Sequence, residues 1–255
     1  MRIRFLGTGA AEGIPAMGCK CDHCTRARQA GGRFVRQRTA VLFSLDGYEL
    51  LMDTPPDIRG LLDASGVRQI DGIFLTHEHF DHTAGLEEFL YWPDRVDLFA
   101  EPHVYRRLIR EDWGDRLPEV AFHVPFRPGV AVRFNDFFFT PFEVRHDVPC
   151  FGVVFYEGRQ RVVHAADSDS RLSNYARCLI EGADLLIVNT PFFEPREDQA
   201  HLSVQEAIVL KDEVGARRLI LTHFNHYNRP HDELESYASQ FEGVTVAFDG
   251  LTIRV

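Results

Sequence analysis

The feature that most constrains this chain is a six-residue segment with four side chains able to bind a metal. They follow the pattern His-x-His-x-Asp-His and are His77, His79, Asp81 and His82. The apolar residues 71–75 predict a short buried strand before the segment, and the spacing of apolar residues in 83–90 predicts a helix after it. We therefore expect the four side chains in a loop at the carboxyl end of a strand, where rigid scaffolds commonly present reactive groups.

The spacing of these residues indicates two neighbouring metal positions. Alternate residues of an extended segment point in the same direction, so His77 and His79 can bind one metal. Asp81 and His82 follow the turn of the chain and face a second position. Imidazole favours zinc, and a carboxylate among imidazoles also admits manganese or iron. A histidine-rich surface turn is the alternative, but the chain holds only 12 histidines, which makes this register a rare coincidence.

Three more residues of the same chemical types lie far along the chain, each after an apolar run that predicts a strand: His146, Asp167 and His223. Together with the first segment, they resemble the ligand set of the metallo-β-lactamase superfamily, and the resemblance covers nearly the whole chain. It implies an α/β fold, the four-layer αββα sandwich in which helices flank two central sheets. The length of 255 residues is compatible with one domain over 1–255.

The resemblance also implies how the residues would hold two divalent metals, zinc or manganese. The ligands of the first metal are His77, His79 and His146. The ligands of the second metal are Asp81, His82 and His223. Asp167 is expected to bridge the metals, with a hydroxide between them as the nucleophile. Asp53 resembles a buried aspartate that supports the metal site; capping of the following helix is the alternative for this residue.

Three of the five cysteines form a second candidate site: Cys19, Cys21 and Cys24. Cysteines this close cannot easily pair with each other, so metal binding is the better interpretation. A tetrahedral zinc site needs a fourth ligand. We predict His226, which follows His223 by three residues, and His23 inside the cluster is the alternative. Such a site has no open position, so it would be a structural zinc that ties an amino-terminal loop to a carboxyl-terminal loop.

Four motifs narrow the resemblance: Gly7-Thr8-Gly9, the cysteine cluster, His223-x-x-His226 and Phe248-Asp249-Gly250. Together they are similar to the PhnP family of phosphodiesterases within the superfamily. This similarity implies hydrolysis of a small phosphate diester, of cyclic phosphoribosyl type. It assigns catalysis to Asp81, as a metal ligand, and to His201, as the general acid that protonates the departing alkoxide. Segments 53–57 and 191–195 depart from the family and leave the substrate open.

Composition argues against a nucleic-acid partner. The formal net charge is −10 and the isoelectric point is about 5.6, which opposes a broad surface for polyanions and favours a small anionic substrate held by metals. No apolar run approaches the length of a membrane span, and residues 1–5 lead into a strand rather than a signal peptide. We expect a cytoplasmic protein with no membrane partner, and a homodimer is left open.

Other functions of the same fold compete with a phosphodiesterase. A ribonuclease Z-like nuclease would need a basic surface or a protruding arm, and the acidic balance supplies neither. Hydrolases of thioesters or lactones are further alternatives, and a β-lactamase would not usually combine Asp81 with the cysteine cluster. From a different class, the protein could be a metal-dependent binding module without turnover, against which a complete ligand set and a candidate acid argue.

Overall fold

The computed structural model describes residues 1–134, 137–196 and 200–255, which form two sheets of seven strands packed face to face. In chain order, the strands are β1 (Arg2–Gly7), β2 (Ala40–Leu45), β3 (Tyr48–Met52), β4 (Gly72–Phe74), β5 (Val96–Ala100), β6 (Ala121–Pro125), β7 (Val132–Phe134), β8 (Phe137–Val144), β9 (Cys150–Glu157), β10 (Gln160–His164), β11 (Leu185–Asn189), β12 (Leu219–Thr222), β13 (Val244–Val246) and β14 (Thr252–Arg254).

The helices lie between these strands along the chain. They are α1 (Asp22–Ala30), α2 (Ile58–Ala64), α3 (Phe80–Thr83), α4 (Pro102–Leu108), α5 (Leu117–Val120), α6 (Asn174–Ile180), α7 (Val204–Glu213) and α8 (His231–Ala238), and short 3-10 helices cover Gly32–Phe34, Leu86–Tyr91 and Gly114–Arg116. Within the described ranges, no helix is long and apolar enough to cross a membrane.

The two sheets have matching architectures. The strand order is β14-β1-β2-β3-β4-β5-β6 in the first sheet and β13-β12-β11-β10-β9-β8-β7 in the second. In each sheet, three neighbouring pairs are antiparallel and three are parallel. The helices flank these mixed sheets, so the predicted αββα sandwich is confirmed.

Alternating side chains explain how the second sheet buries both of its faces. Phe155 and Val162 belong to the core that includes the first sheet, whereas Val154 and Val163 pack with apolar residues of α6 and α7. Successive residues of a strand point to opposite faces, and a strand covered on both faces is apolar throughout. This pattern accounts for the continuous apolar runs in the sequence.

The start of α7 confirms a local prediction. The Ser203-x-x-Glu206 spacing is that of a capping box, in which two side chains satisfy the free N–H groups of a helix terminus. In the structure, Glu206 N–H donates to Ser203 Oγ at 3.1 Å, and Ser203 N–H donates to Glu206 Oε2 at 2.9 Å. His201 lies two residues before Ser203, so the cap fixes the backbone next to this candidate catalytic residue.

The single helix predicted over 83–90 is wrong, because α3 ends at Thr83 and a 3-10 helix begins at Leu86. The break falls at Gly85, whose N–H donates to Thr54 O at 2.8 Å. A Cβ at this position would lie 2.0 Å from the carbonyl oxygen of Pro55. Close packing against the segment after β3 therefore divides the helix, and periodicity alone could not reveal it.

Candidate metal centre

The predicted metal ligands meet at one edge of the two sheets. Strand β4 leads to His77, β8 to His146, β10 to Asp167 and β12 to His223. The remaining ligands of the first segment lie in or directly before α3. Strands β8, β10 and β12 run in the same direction within the second sheet, so their carboxyl ends share one edge. Rigid strand ends thus position side chains that are far apart in sequence.

Three residues at this edge have a backbone conformation that side chains rarely adopt. They are the non-glycine residues with positive φ in the described ranges: Asp53 at +62°, Ala166 at +52° and His223 at +61°. Such conformations are strained and persist only where surrounding contacts determine them, which is common at functional sites. Their concentration next to the predicted ligands is independent evidence for a functional site at this edge.

A single oxygen of Asp167 lies at the centre of the cluster. Its Oδ2 is 3.5 Å from Nε2 of both His82 and His223, and 3.8 Å from Nε2 of His77. Burial alone would raise the pKa of Asp167, but the surrounding imidazoles, first His223 and then His82, outweigh burial and hold the pKa well below its usual value. The carboxylate is therefore anionic at neutral pH and available to a metal.

The group predicted for the first metal is compact. His77 Nε2 lies 3.0 Å and His146 Nε2 lies 3.3 Å from His79 Nδ1. Two nitrogens bound tetrahedrally to one zinc at about 2.1 Å would lie roughly 3.4 Å apart, so these three imidazoles fit one shared ion. Asp147, which the sequence did not single out, contacts the same group, with Oδ1 2.9 Å from His146 Nε2.

The group predicted for the second metal also fits an ion. Asp81 Oδ2 lies 3.4 Å from His82 Nε2 and 3.8 Å from His223 Nε2. In the described part of the chain, buried His82 Nε2 has no hydrogen-bond partner, although buried polar atoms normally have one. A divalent metal held by these three residues would supply that missing partner.

A protein oxygen fixes the other ring nitrogen of four histidines. The Nδ1–oxygen distances are 2.7 Å for His82–Asp53, 2.9 Å for His77–Thr76, 3.0 Å for His223–Thr39 and 3.0 Å for His146–Ala200. An Nδ1–H that donates to oxygen leaves the lone pair of Nε2 for a metal, and such partners orient ligands. The arrangement prepares all four rings for metal binding.

Asp53 lies where the sequence placed a supporting aspartate. Besides His82, its carboxylate accepts hydrogen bonds from Thr76 N–H and Thr76 Oγ1, each at 2.9 Å. Helix α2 begins after Asp57 rather than after Asp53, and no side-chain cap is seen there. The contacts of Asp53 therefore favour support of the metal centre over helix capping.

Two buried histidines beside Asp167, His77 and His82, differ in charge preference. Burial lowers the pKa of His77 well below its ordinary value, and neighbouring His82 adds to this effect. Burial also disfavours the charged form of His82, but Asp81, Asp53 and Asp167 outweigh it and raise the pKa of His82 well above its ordinary value. Because a metal binds neutral imidazole, metal binding at the second group should release a proton.

His201 lies at the same centre but on a connecting loop. Its Nδ1 is 3.9 Å from Asp167 Oδ2, and its ring centroid is 4.9 Å from that of His146. Burial lowers the pKa of His201 to about 4, despite the opposing effect of Asp167. Among the described residues, Nδ1 has no hydrogen-bond partner. The structure thus places His201 within reach of the reacting region, as a neutral imidazole in the free protein.

The cysteine cluster forms a separate candidate site. The ligand atoms of Cys19, Cys21, Cys24 and His226 all lie within 4.8 Å of one another. His226 Nδ1 is 3.5 Å from Cys19 Sγ and 3.7 Å from Cys21 Sγ. His23 instead directs Nδ1 to the carbonyl oxygens of His226 and Asn228, both at 3.1 Å. The geometry therefore favours His226 over His23 as the fourth ligand.

Sequence reasoning missed several side chains that hold this centre together. Asn189 donates to Asp167 Oδ1 at 2.5 Å, and Thr39 and Thr76 hold two of the histidines. Asn189 follows the apolar run 185–188, so a polar residue at a strand end was an available signal. No signal in the sequence marked Thr39, because its contact with His223 depends on how distant segments meet.

Comparisons with known proteins agree with this fold. The chain is 27% identical to an octanoyltransferase from Porphyromonas gingivalis. The match covers 100% of this chain and 53% of that protein, so the chain spans about half of its length. It is 28% identical to coenzyme PQQ synthesis protein B from Methylobacterium sp. strain 4-46, with full coverage of both chains. It is also 24% identical to ribonuclease Z from Bradyrhizobium sp. strain ORS 278, over 86% of this chain and 94% of that protein.

Two solved structures share the whole architecture. A diphosphatase from the PhnP family has a TM-score of 0.85 at 25% identity, over 99% of this chain and 97% of the other. Zinc-bound PqqB from Methylobacterium extorquens has a TM-score of 0.88 at 22% identity, with both chains fully covered.

A family profile decides the membership of the chain. The profile, described as a beta-lactamase superfamily domain, matches residues 48–224, which is more than half of the sequence. This range includes the first histidine segment, the strand ends that carry the later ligands, and His223. On this match and on the shared two-sheet fold, the chain belongs to the β-lactamase superfamily and has the metallo-β-lactamase fold.

Proposed function

We propose that the protein is a metal-dependent phosphodiesterase that hydrolyses a small phosphate diester of cyclic phosphoribosyl type. The observation that carries this proposal is the position of Asp167 Oδ2, which lies within 4.0 Å of nitrogens from both predicted metal groups, His77 and His146 in one and His82 and His223 in the other. An anion in this position is suited to bridge two ions. Adjacent metal pairs are typical of enzymes that displace groups at phosphorus.

The protein residues would divide the work between binding and orientation. The first group would hold one zinc or manganese ion, and the second group would hold another. When bound, such a pair lowers the pKa of water and stabilises the attacking and leaving oxygens. Asp53, Thr76 and Thr39 would keep the imidazoles in the required orientation. Because His77, His82 and His223 are buried, little reorganisation would be needed at the moment of reaction.

His201 is the proposed general acid. A cyclic ribose-type ester expels an alkoxide, a poor leaving group that benefits strongly from a proton. Free His201 is neutral, with a pKa near 4, so it must gain its proton when substrate binds. An anionic phosphate beside the ring favours the protonated form and would raise this pKa. A metal-binding role is the alternative, because His146, Asp167 and His201 also have ligand spacing.

The loop that carries His201 supports an anionic substrate. The ring of Phe192 lies 6.4 Å from that of His201, and the guanidinium of Arg196 lies 4.1 Å above Phe192. A cation near the proposed acid favours negatively charged ligands.

The relatives support hydrolysis at phosphorus without selecting one substrate. The PhnP-family neighbour is a diphosphatase, and ribonuclease Z acts on RNA, which is also a phosphodiester. The net charge of −10 favours a small substrate over RNA. The name of PQQ synthesis protein B, the relative matched over its full length, specifies no hydrolysis. A binding function without turnover is therefore the second candidate, and hydrolysis of a thioester or lactone stays an alternative within the fold.

A substrate panel tests the proposal directly. Protein reconstituted with zinc or manganese would be assayed with bis(p-nitrophenyl) phosphate, 2′,3′-cyclic nucleotides, a diphosphate ester, p-nitrophenyl phosphate, a thioester and a lactone. We expect the two diesters to react fastest and the phosphomonoester to react little. Faster turnover of the thioester or lactone would reject the phosphodiesterase assignment, and no turnover of any compound would favour the binding function.

A further inference from the structure

A second group of buried polar residues lies beside the metal centre and has no part in the chemistry above. Arg36 and His231 are 2% and 3% exposed, respectively. Burial lowers the pKa of Arg36 to about 10, so the guanidinium remains charged at neutral pH. A buried cation is costly, and well-packed apolar residues often give equal or greater stability. The presence of Arg36 therefore calls for a purpose other than filling the core.

The guanidinium of Arg36 donates hydrogen bonds to three segments that are distant in sequence. Its Nη1 donates to Thr8 Oγ1 and to the carbonyl oxygen of Ala247, both at 2.7 Å, and its Nη2 donates to His231 Nδ1 at 2.9 Å. Thr8 Oγ1 in turn donates to Asp249 Oδ1 at 2.7 Å. Several hydrogen bonds in fixed directions make Arg36 a rigid support between loops that are distant in sequence.

This support lies against the residue that follows a predicted metal ligand. The guanidinium carbon of Arg36 is 4.2 Å from the ring centroid of Phe224. The backbone of Phe224 is also held, because its N–H donates to Thr8 O and its carbonyl accepts from Ala10 N–H, both at 2.9 Å. Phe224 is therefore fixed at its ring by Arg36 and at its backbone by the loop that Arg36 binds.

His223 needs such support because of its own conformation. Its φ of +61° is strained for a residue with a Cβ. Thr39 Oγ1 donates to Gly9 O at 2.9 Å and accepts from His223 Nδ1 at 3.0 Å. A Cβ on Gly9 would lie 3.0 Å from the carbonyl oxygen of Gln37. The glycine-rich loop therefore packs closely against the backbone of residues 36–37.

From these contacts we infer that Arg36 is a positioning residue for the metal-binding imidazole of His223. It holds Phe224 and Thr8 together, and they hold the strained backbone of His223 in the orientation that directs Nε2 to Asp81 and Asp167. Among the described residues, the contacts of Arg36 are with Thr8, Ala247, His231 and Phe224 and not with metal-facing ligand atoms. The inference rests on the metal pair proposed above, and it adds a determinant of metal affinity outside the ligand set.

The test is a titration with Co²⁺, followed by visible absorption, for the wild type and two arginine variants. Each protein first has zinc restored at the cysteine cluster, so that Co²⁺ binds only at the pair of histidine groups. Partners that orient metal ligands typically change metal affinity by about 10–100-fold. We expect Arg36→Met to weaken one binding step by that amount, leave the other step near the wild-type value, and keep the fold. Arg36→Lys retains the charge but not the directed hydrogen bonds, so its Co²⁺ affinity at this step should lie between those of the wild type and Arg36→Met.

Arg33→Met is the matched control. Arg33 also lies over an aromatic ring, 4.1 Å from the centroid of Phe248, and pairs with Glu235 at 3.3 Å, but its side chain is exposed. We expect this variant to bind Co²⁺ like the wild type. If Arg36→Met does not fold, Thr8→Val removes one hydroxyl that binds Arg36 and should weaken the same step.

Two outcomes would overturn the inference. In the first, a folded Arg36→Met or Thr8→Val variant binds Co²⁺ in both steps like the wild type. In the second, both steps are weakened equally and the thermal stability falls as well. The second result would make Arg36 an ordinary stabilising residue. Failure of the metal pair is distinguishable, because it would appear as a single step in the wild-type titration. In that case the inference stands only if Arg36→Met weakens that step and Arg33→Met does not.

Discussion

The two candidate metal sites of this protein are built in opposite ways. Ligands of the histidine–aspartate centre follow the ends of strands, and most of them are buried. The cysteine site is formed by a loop, the first turn of α1 and His226, and Cys21 is exposed. Histidines of the centre have fixed second contacts, such as Asp53 for His82. The first site is pre-oriented by the fold, whereas the second joins two segments of it.

This difference corresponds to two uses of a metal. Nitrogen and oxygen ligands around a shared carboxylate suit a pair of ions with positions left for a substrate. Three thiolates and one imidazole complete a tetrahedral zinc and leave no open position, which is typical of structural sites. Metal removal should therefore have separable consequences, with activity depending on one site and stability on the other.

The largest effect is expected at the shared oxygen. Asp167→Ala removes the only carboxylate near both histidine groups in the described ranges, so neither group should keep its ion and hydrolysis should fall to the level of metal-free protein. Elemental analysis should still find one zinc per chain at the cysteines. Asp169→Asn is the control, because Asp169 pairs with Arg171 instead. Two ions retained in Asp167→Ala would contradict the bridging role.

A smaller loss is expected for His201→Ala, which should keep both ions. Removal of a general acid commonly slows a reaction by about 10²–10⁴-fold. The loss should be large for cyclic or alkyl esters and small for p-nitrophenyl esters, whose leaving group is weakly basic. His223→Ala is the comparison, because loss of a ligand should slow both kinds of ester. Equal slowing by His201→Ala on both, or loss of an ion, would instead make His201 a ligand or a binding residue.

The stability of the metal-free centre should depend on pH through His164, at the end of β10. Burial lowers its pKa from 6.5 to about 4. As the pH falls, His164 in the unfolded chain is therefore protonated before His164 in the folded protein. The contribution of neutral His164 to the free energy of unfolding is complete above pH 6.5 and is lost as the pH falls toward 4. The full loss is about 3 kcal/mol.

Urea unfolding of metal-free protein between pH 4 and pH 7 measures this contribution. Over this pH range, the free energy of unfolding of the His164→Gln variant should change by about 3 kcal/mol less than that of the wild type. Identical slopes in the two proteins would show that His164 does not set the pH dependence of the centre.

The smallest effect on hydrolysis is expected for Cys21→Ser. This variant should lose the single zinc and several kcal/mol of unfolding free energy, because structural zinc contributes directly to folding. The two ions of the centre and most of the activity at low temperature should remain. Cys178→Ser, at an exposed cysteine on α6, should leave the zinc in place. A loss of activity as large as that of Asp167→Ala would abolish the distinction between the sites.

The residues that were predictable from sequence carry their information locally. The His77–His82 segment specifies its own geometry, and His146, Asp167 and His223 follow apolar runs that mark buried strands. The resemblance to the superfamily joined these distant residues into one ligand set. In the structure, β8, β10 and β12 run in the same direction, so the ends that lead to these ligands lie at one edge. The capping box at Ser203 is local in the same way.

The residues that were missed depend on contacts between distant segments. Arg36 reaches Thr8, Ala247 and Phe224 only because the strands beside them pair in a particular register. Thr39 likewise meets His223 across 184 positions. The break at Gly85 depends on packing against Pro55. Periodicity describes one element at a time, and none of these contacts lies within one element.

The placement of ligands on strand ends has a consequence for how such proteins diversify. The floor of the site is formed by strand ends of the core, whereas residues 54–57 and 191–196 are connections beside it. Exchange of a connection can alter which molecule enters while leaving the chemistry below intact. This separation offers a physical reason why two solved structures that share the architecture at 25% and 22% identity carry different names.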